Sequence, residues 1–183
     1  PEVWFTLVAL CKLGATSIPA SFQLTEKDII YRCDAAEVKM IIAAEDDNII
    51  GHIKNSRHKC KTLVHVGLVG DDIAERFGEE FLDMRKLTAA ASPDFVRPTG
   101  DEATTNFDTM LMYFTSGTTG MPKMITHNFL YPLGHITTAH FWQKVEDEGR
   151  HLTVSDSGWA KFAWGKIYGQ WICGAVNVAY DTD

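Results

Sequence analysis

Tyr113-Phe114-Thr115-Ser116-Gly117-Thr118-Thr119-Gly120-Met121-Pro122-Lys123 is the stretch whose residue types and spacing could do chemistry. From Thr115 to Gly120 every side chain is a small hydroxyl or a hydrogen atom. Glycine lets the backbone turn at positive φ and approach a ligand closely. Successive N–H groups in such a turn form an anion-binding nest, and the hydroxyls of Thr115, Ser116, Thr118 and Thr119 can rotate toward phosphate oxygens. Pro122 stiffens the exit, and Lys123 brings a compact positive charge. The simplest ligand for this set is a polyphosphate such as ATP, held by Thr115, Ser116, Gly117, Thr118, Thr119, Gly120 and Lys123. The loop is not a Walker A motif, which needs four residues between its glycines and then Lys-Ser/Thr at a helix start. Here two residues separate Gly117 from Gly120, and Lys123 is followed by Met124-Ile125-Thr126, a run that favours a strand. A strand–loop–strand clamp is therefore expected, without a helix dipole behind the anion. An ordinary Gly/Thr hairpin turn is the plainer alternative, but a turn does not require the full hydroxyl run followed by Pro-Lys.

Other side chains carry two readings. Trp159, Phe162, Trp164, Tyr168 and Trp171 make an aromatic-rich segment, either core packing or the wall of an apolar acid pocket. Gly158, Gly165 and Gly169 either leave room for an alkyl chain or permit close helix packing. His127 either touches a bound acid or nucleotide, or ends the strand after Lys123. Asp156, ahead of Ser157-Gly158, is more simply a cap or turn residue than a catalytic group. Glu45-Asp46-Asp47-Asn48 is more simply a solvated helix start than a metal site.

The elements that must position these groups alternate. Helices are expected over 1–13, about 25–36, 46–57, 71–87, 128–142 and 160–173, with Gly14 ending the first and Thr25-Glu26-Lys27-Asp28 opening the second by a capping-box-like pattern. Strands are expected over 15–19, 38–44, 62–69, 110–114, 124–126, 152–155 and 175–180. The stretch 90–108, with Pro93, Pro98 and Gly100, is the best linker. Such alternation predicts an α/β fold, a mostly parallel sheet with helices on both faces. Ligands of these sheets sit beyond the carboxyl ends of strands, where the loop after Phe114 would lie.

The 183-residue length can bury one sizeable core, and a hydrophobic fraction of 45% is ordinary for a globular chain. A net charge of −7 argues against a nucleic-acid surface. The four cysteines, Cys11, Cys33, Cys60 and Cys173, show no Cys-x-x-Cys pair, so no zinc site is expected. Reduced thiols read as a cytoplasmic location. The apolar run from Val3 to Leu10 is too short to span a membrane.

Thr115-Ser116-Gly117-Thr118-Thr119-Gly120-x-Pro122-Lys123 resembles the phosphate-loop signature of the acyl-adenylate-forming (AMP-binding) superfamily. Three further stretches resemble it too: Leu13-Gly14-Ala15-Thr16-Ser17-Ile18-Pro19-Ala20, Asp28-Ile29-Ile30-Tyr31-Arg32 and Ser155-Asp156-Ser157-Gly158-Trp159. Met124 stands where many members have glycine, and His127 lies four residues past Lys123 rather than six. That variant is similar to the medium-chain acyl-CoA synthetase branch. The resemblance implies an AMP-forming ligase that joins a carboxylic acid to ATP, releases pyrophosphate, and passes the acyl group to coenzyme A. It implies ATP, Mg²⁺ and coenzyme A as cofactors. It also implies that residues 1–183 are part of a large N-terminal domain, since the Tyr-Gly-x-Thr-Glu element, the ribose-binding aspartate and the C-terminal lysine have no counterpart here. This stretch alone is then not expected to turn over, and the Mg²⁺ ligand is expected outside it. Trp159, Gly158 and His127 are the implied acid-pocket residues. The alternatives are a non-catalytic nucleotide-binding or interaction module, and an adenylating ligase that loads a carrier protein.

Overall fold

The apolar periodicity at the start of the chain is realised as helix α1 (Glu2–Leu13), whose buried residue is Leu7. Gly14 ends it at φ +71°. The Gly14 N–H donates to the Cys11 carbonyl (3.4 Å) and the Ala15 N–H to the Leu10 carbonyl (2.9 Å), the paired bonds of a Schellman stop that requires the left-handed region. A computed structural model describes residues 2–115 and 120–180. They form two compact units, one of Phe22–Val96 and one of Pro1–Ser21 with Arg97–Asp183.

In the Phe22–Val96 unit, α2 (Glu26–Ala35) opens with a full capping box between Thr25 and Asp28, as the pattern predicts. Strand β1 (Met40–Ala44) comes next, then α3 (Asp47–Ser56), capped by Asp46, whose carboxylate accepts from the Asn48 and Ile49 N–H groups. Strand β2 (His65–Val69) pairs in parallel with β1, with Met40 opposite His65 and Ala44 opposite Val69. The expected helix over 71–87 is broken into three elements: α4 (Ile73–Phe77), β3 (Leu82–Asp83) and α5 (Met84–Ala90). Gly78 at φ +112° ends α4, and the Asp83 carboxylate accepts from the Lys86 N–H to start α5. Strand β3 extends the sheet in parallel beside β2. Ile29, Cys33, Ile49, Ile50, Ile53, Val66, Leu68, Ile73 and Phe77 form the core. Strand β1 is not buried on both faces as expected: Met40 and Ile42 are exposed while Ile41 and Ala43 meet the core. Burial pushes the Cys33 thiol up to about 12, with Cys60 beside it adding to the shift.

After Ala90 the only regular element before residue 109 is a 3-10 turn, Gly100–Glu102. In the second unit, β4 (Thr109–Thr115) pairs antiparallel with β5 (Lys123–Asn128). The expected strand over 15–19 is reduced to a single parallel bridge between Ser17 and Leu111; Pro19 has no N–H to extend the ladder. Helix α6 (Tyr131–Thr137) begins later than Asn128, because the Asn128 carboxamide accepts from the Leu130 N–H (3.1 Å) in a local turn and Pro132 occupies the first helical turn. It runs on into a π turn, Thr138–Trp142. Strand β6 (Arg150–His151) lies ahead of the expected 152–155. The expected helix over 160–173 is α7 (Ala160–Phe162), a second π turn (Ala163–Ile167) and α8 (Tyr168–Ile172). Strand β7 (Val176–Asn177) pairs in parallel with β6. Leu7, Met110, Leu111, Tyr113, Phe162, Ala163, Ile167 and Tyr168 form the main core of this unit. The architecture is α/β with mostly parallel pairing; β4–β5 is the antiparallel exception.

Candidate functional site

The apolar residues Met110, Leu111, Tyr113 and Phe114 bury β4, so the strand's C-terminal end is fixed where the hydroxyl run begins. Register sets Thr115 opposite Lys123 and Phe114 opposite Met124, and the Thr115 hydroxyl donates to the Lys123 carbonyl (3.4 Å). Two of the expected phosphate ligands, Thr115 and Lys123, are thereby brought to the same rung at the mouth of the hairpin. Lys123 and Gly120 are exposed, and a Cβ added at Gly120 would meet nothing within 4 Å. Ser116, Gly117, Thr118 and Thr119 lie outside the described residues. Lys123 opens a strand rather than a helix, in line with the strand–loop–strand reading.

His127 closes the opposite end of β5, facing Leu111. Its ring lies 4.4 Å from that of Tyr131, which lies 4.5 Å from His135. His135 stacks on Trp164 at 5.9 Å and 20°, and Trp164 meets Trp142 at 5.7 Å. An aromatic column thus leads from the strand that begins at Lys123, through α6, to both π turns. Burial lowers the pKa of His127; burial and then His127 lower that of His135. The Tyr131 hydroxyl and His135 Nδ1 are buried without hydrogen-bond partners.

The aromatic segment divides. Phe162 and Tyr168 are core, whereas Trp159 is 67% exposed and Trp171 is also exposed. Trp159 precedes α7 with its side chain in the open. Asp156 is a turn residue: its Oδ1 accepts from the Gly158 N–H (2.7 Å) and its Oδ2 from the Ser21 hydroxyl (3.1 Å). A Cβ at Gly158 would fall 2.6 Å from the Ser21 nitrogen, and one at Gly169 2.8 Å from the His135 carbonyl oxygen. At Gly158 and Gly169 the missing side chain lets the backbone of another segment approach closely. His135, Tyr131 and Trp142 went unread in the sequence, since their convergence depends on the π turns.

Glu45 pairs with Arg76 and Asp46 caps α3, so the acidic run is a helix start. Among the described residues no three His, Cys, Asp or Glu side chains gather to hold a metal. Among them, too, no helix is long and apolar enough to cross a membrane.

The chain is 36% identical over 182 residues to the mitochondrial acyl-coenzyme A synthetase ACSM5 of Rattus norvegicus, covering 99% of this chain and 30% of that protein. It is 35% identical over 181 residues to the mitochondrial acyl-coenzyme A synthetase ACSM3 of Mus musculus, with 98% and 30% covered. It therefore spans about 30% of the length of these curated relatives. Their location corrects the cytoplasmic expectation: both are mitochondrial proteins, and unpaired cysteines do not distinguish one reducing compartment from another. Among solved structures, an anthranilate CoA ligase, AuaEII, in complex with anthranoyl-AMP superposes with a TM-score of 0.85 at 18% identity, covering 97% of this chain and 33% of that one. The acyl-CoA synthetase of Brucella canis gives 0.79 at 18% identity, covering 97% and 30%. These two likenesses are of fold. The model of the AMP-binding enzyme family matches residues 1–183, and the chain belongs to that family.

Proposed function

We propose that this chain is part of an AMP-forming acyl-CoA ligase that activates a carboxylic acid, most simply a fatty or aryl acid, with ATP and transfers it to coenzyme A. The observation that carries the reading is the β4–β5 register, which sets Thr115 and Lys123 on one rung at the two ends of a hydroxyl–glycine loop. Two anions must meet in the first half-reaction, the acid's carboxylate and the α-phosphate. The negative charge that develops as pyrophosphate leaves needs positioned donors. Lys123 supplies a cation there, and Thr115, Ser116, Gly117, Thr118, Thr119 and Gly120 supply hydroxyl and N–H donors. Such transfer depends on positioning and electrostatics more than on covalent chemistry by the protein. The relatives named as acyl-coenzyme A synthetases support the acid and coenzyme A as substrates, and the anthranoyl-AMP held by AuaEII supports the nucleotide. Mg²⁺ accompanies the ATP, with ligands outside these residues. Their names also support a mitochondrial location.

Residues 1–183 fall within the N-terminal AMP-binding domain in this reading, with 90–108 as a linker inside it. The acid's apolar part lies along the aromatic column, which includes the half-buried Trp164, and the open indoles of Trp142 and Trp159, with His127 at its start. Acid-dependent ATP–pyrophosphate exchange by the full-length protein tests the assignment. Lys123→Ala is expected to suppress the exchange; exchange at the wild-type rate removes Lys123 from the site.

A further inference from the structure

The two π turns of the second unit face each other, and a directed chain of hydrogen bonds joins them. Gln143 comes directly after the first π turn, and its Nε2 donates to the carbonyl of Gly165 within the second (3.3 Å). A carbonyl only accepts, so the orientation of the Gln143 amide is fixed. Its Oε1 then accepts from Nε2 of Gln170, which is fully buried in α8. The Thr153 hydroxyl also donates to Gly165. That hydroxyl has one hydrogen, so His151, 2.9 Å away through Nε2, must be the donor to it. Gln170 Oε1 is buried with no partner.

The network adjoins two indoles. Trp142 precedes Gln143 and Trp164 precedes Gly165, and their rings are 5.7 Å apart. A π turn is rare and is found mostly where function holds it. Reverting one to α geometry would rotate the downstream helix by about 100° per residue of register, carrying Trp142 or Trp164 off the column. Buried polar chains of this kind fix one arrangement rather than add much stability. Gln143 follows Trp142 in the chain, and its side-chain hydrogen bonds go to Gly165 and Gln170 rather than to the rings of the column.

We propose that Gln143, clamped between the Gly165 carbonyl and the buried Gln170 amide, is a positioning residue that sets the acid preference of the site by holding the two π turns and their Trp142–Trp164 pair in register. This rests on the reading of the aromatic column as the acid's subsite.

Gln143→Leu alone strands the Gln170 amide, so the informative protein is the full-length double variant Gln143→Leu/Gln170→Leu, in which both partners become apolar and of similar shape. The Gly165 carbonyl keeps Thr153 in that variant. Three readouts are taken: the thermal midpoint, the exciton band of the paired indoles in circular dichroism, and pyrophosphate release with butyrate, octanoate and benzoate. The expected result is a midpoint close to wild type, a diminished indole band, an unchanged KM for ATP, and a shift of about tenfold in the ratio of kcat/KM between the acids. A merely structural role predicts that the ratio returns with the midpoint. An unchanged indole band, or an unchanged acid ratio, overturns the proposal while leaving adenylation in place. Wild-type protein that releases no pyrophosphate with any acid overturns the functional reading itself, and this inference with it.

Discussion

The Phe22–Val96 unit and the unit built on the β4–β5 hairpin treat their apolar side chains differently. In the first, Ile49, Ile50, Ile53, Val66, Leu68 and Ile73 are buried under a short parallel sheet, and the charged side chains pair at the surface, Glu45 with Arg76 and Asp71 with Arg85. In the second, Trp142, Trp159 and Phe141 are each about two-thirds exposed, and the Tyr131 hydroxyl and His135 Nδ1 are buried with no hydrogen-bond partner among the described residues. Both units expose apolar side chains, Val64 and Val96 in the first among them, so the contrast lies in the exposed indoles and the unpartnered buried polar atoms of the second.

Substitutions that separate the two regions test this contrast. Lys123→Ala should lower acid-dependent pyrophosphate exchange by about 100- to 1,000-fold, the scale of one lost charge-stabilising donor, with the melting curve unmoved. A parallel fall in the melting temperature would make Lys123 part of the scaffold instead. Ile53→Ala should do the reverse, destabilising by about 2–5 kcal/mol in denaturant titrations without altering the preference among acids. Thr25→Ala should cost about 1 kcal/mol through the lost cap. The Thr25 hydroxyl also holds the Asp28 carboxyl below its usual range. The stability it gives is present above the unfolded pKa and is lost as pH falls through the folded one, so the variant should flatten that acid limb.

The smallest effect belongs to the column. His127 and His135 titrate below their ordinary value because burial disfavours the charged form. The unfolded chain therefore binds protons first, and stability should decline as pH drops below about 6.5. His135→Asn should reduce that slope; an unchanged slope would mean that neither imidazole is buried enough to matter.

The sequence made the first unit legible because its signals are local. Thr25 with Asp28 and Asp46 with Ile49 are caps readable at fixed spacing, and Val66 and Leu68 lie in a β-branched run. The failure there, the helix over 71–87, came from passing over Gly78, whose positive φ no other residue takes readily. In the second unit the two strands that flank the hydroxyl–glycine stretch were legible from residue type alone. The aromatic column was not, since period 3.6 cannot foresee a π turn, and Trp142 and Trp164 each lie in one. One clue was available: Gln170 is the lone amide in the apolar stretch from Ile167 to Cys173, and it is fully buried.

The hairpin's pairing also limits how its tip can evolve. Side chains alternate sides along a strand, so a one-residue slip of β5 against β4 would turn His127 away from Tyr131 or force a new kink. The far end already has such a kink, the irregularity between Thr109 and Leu111. A slip of register should therefore be absorbed more readily near residue 109 than along the rungs from Leu111 to Thr115.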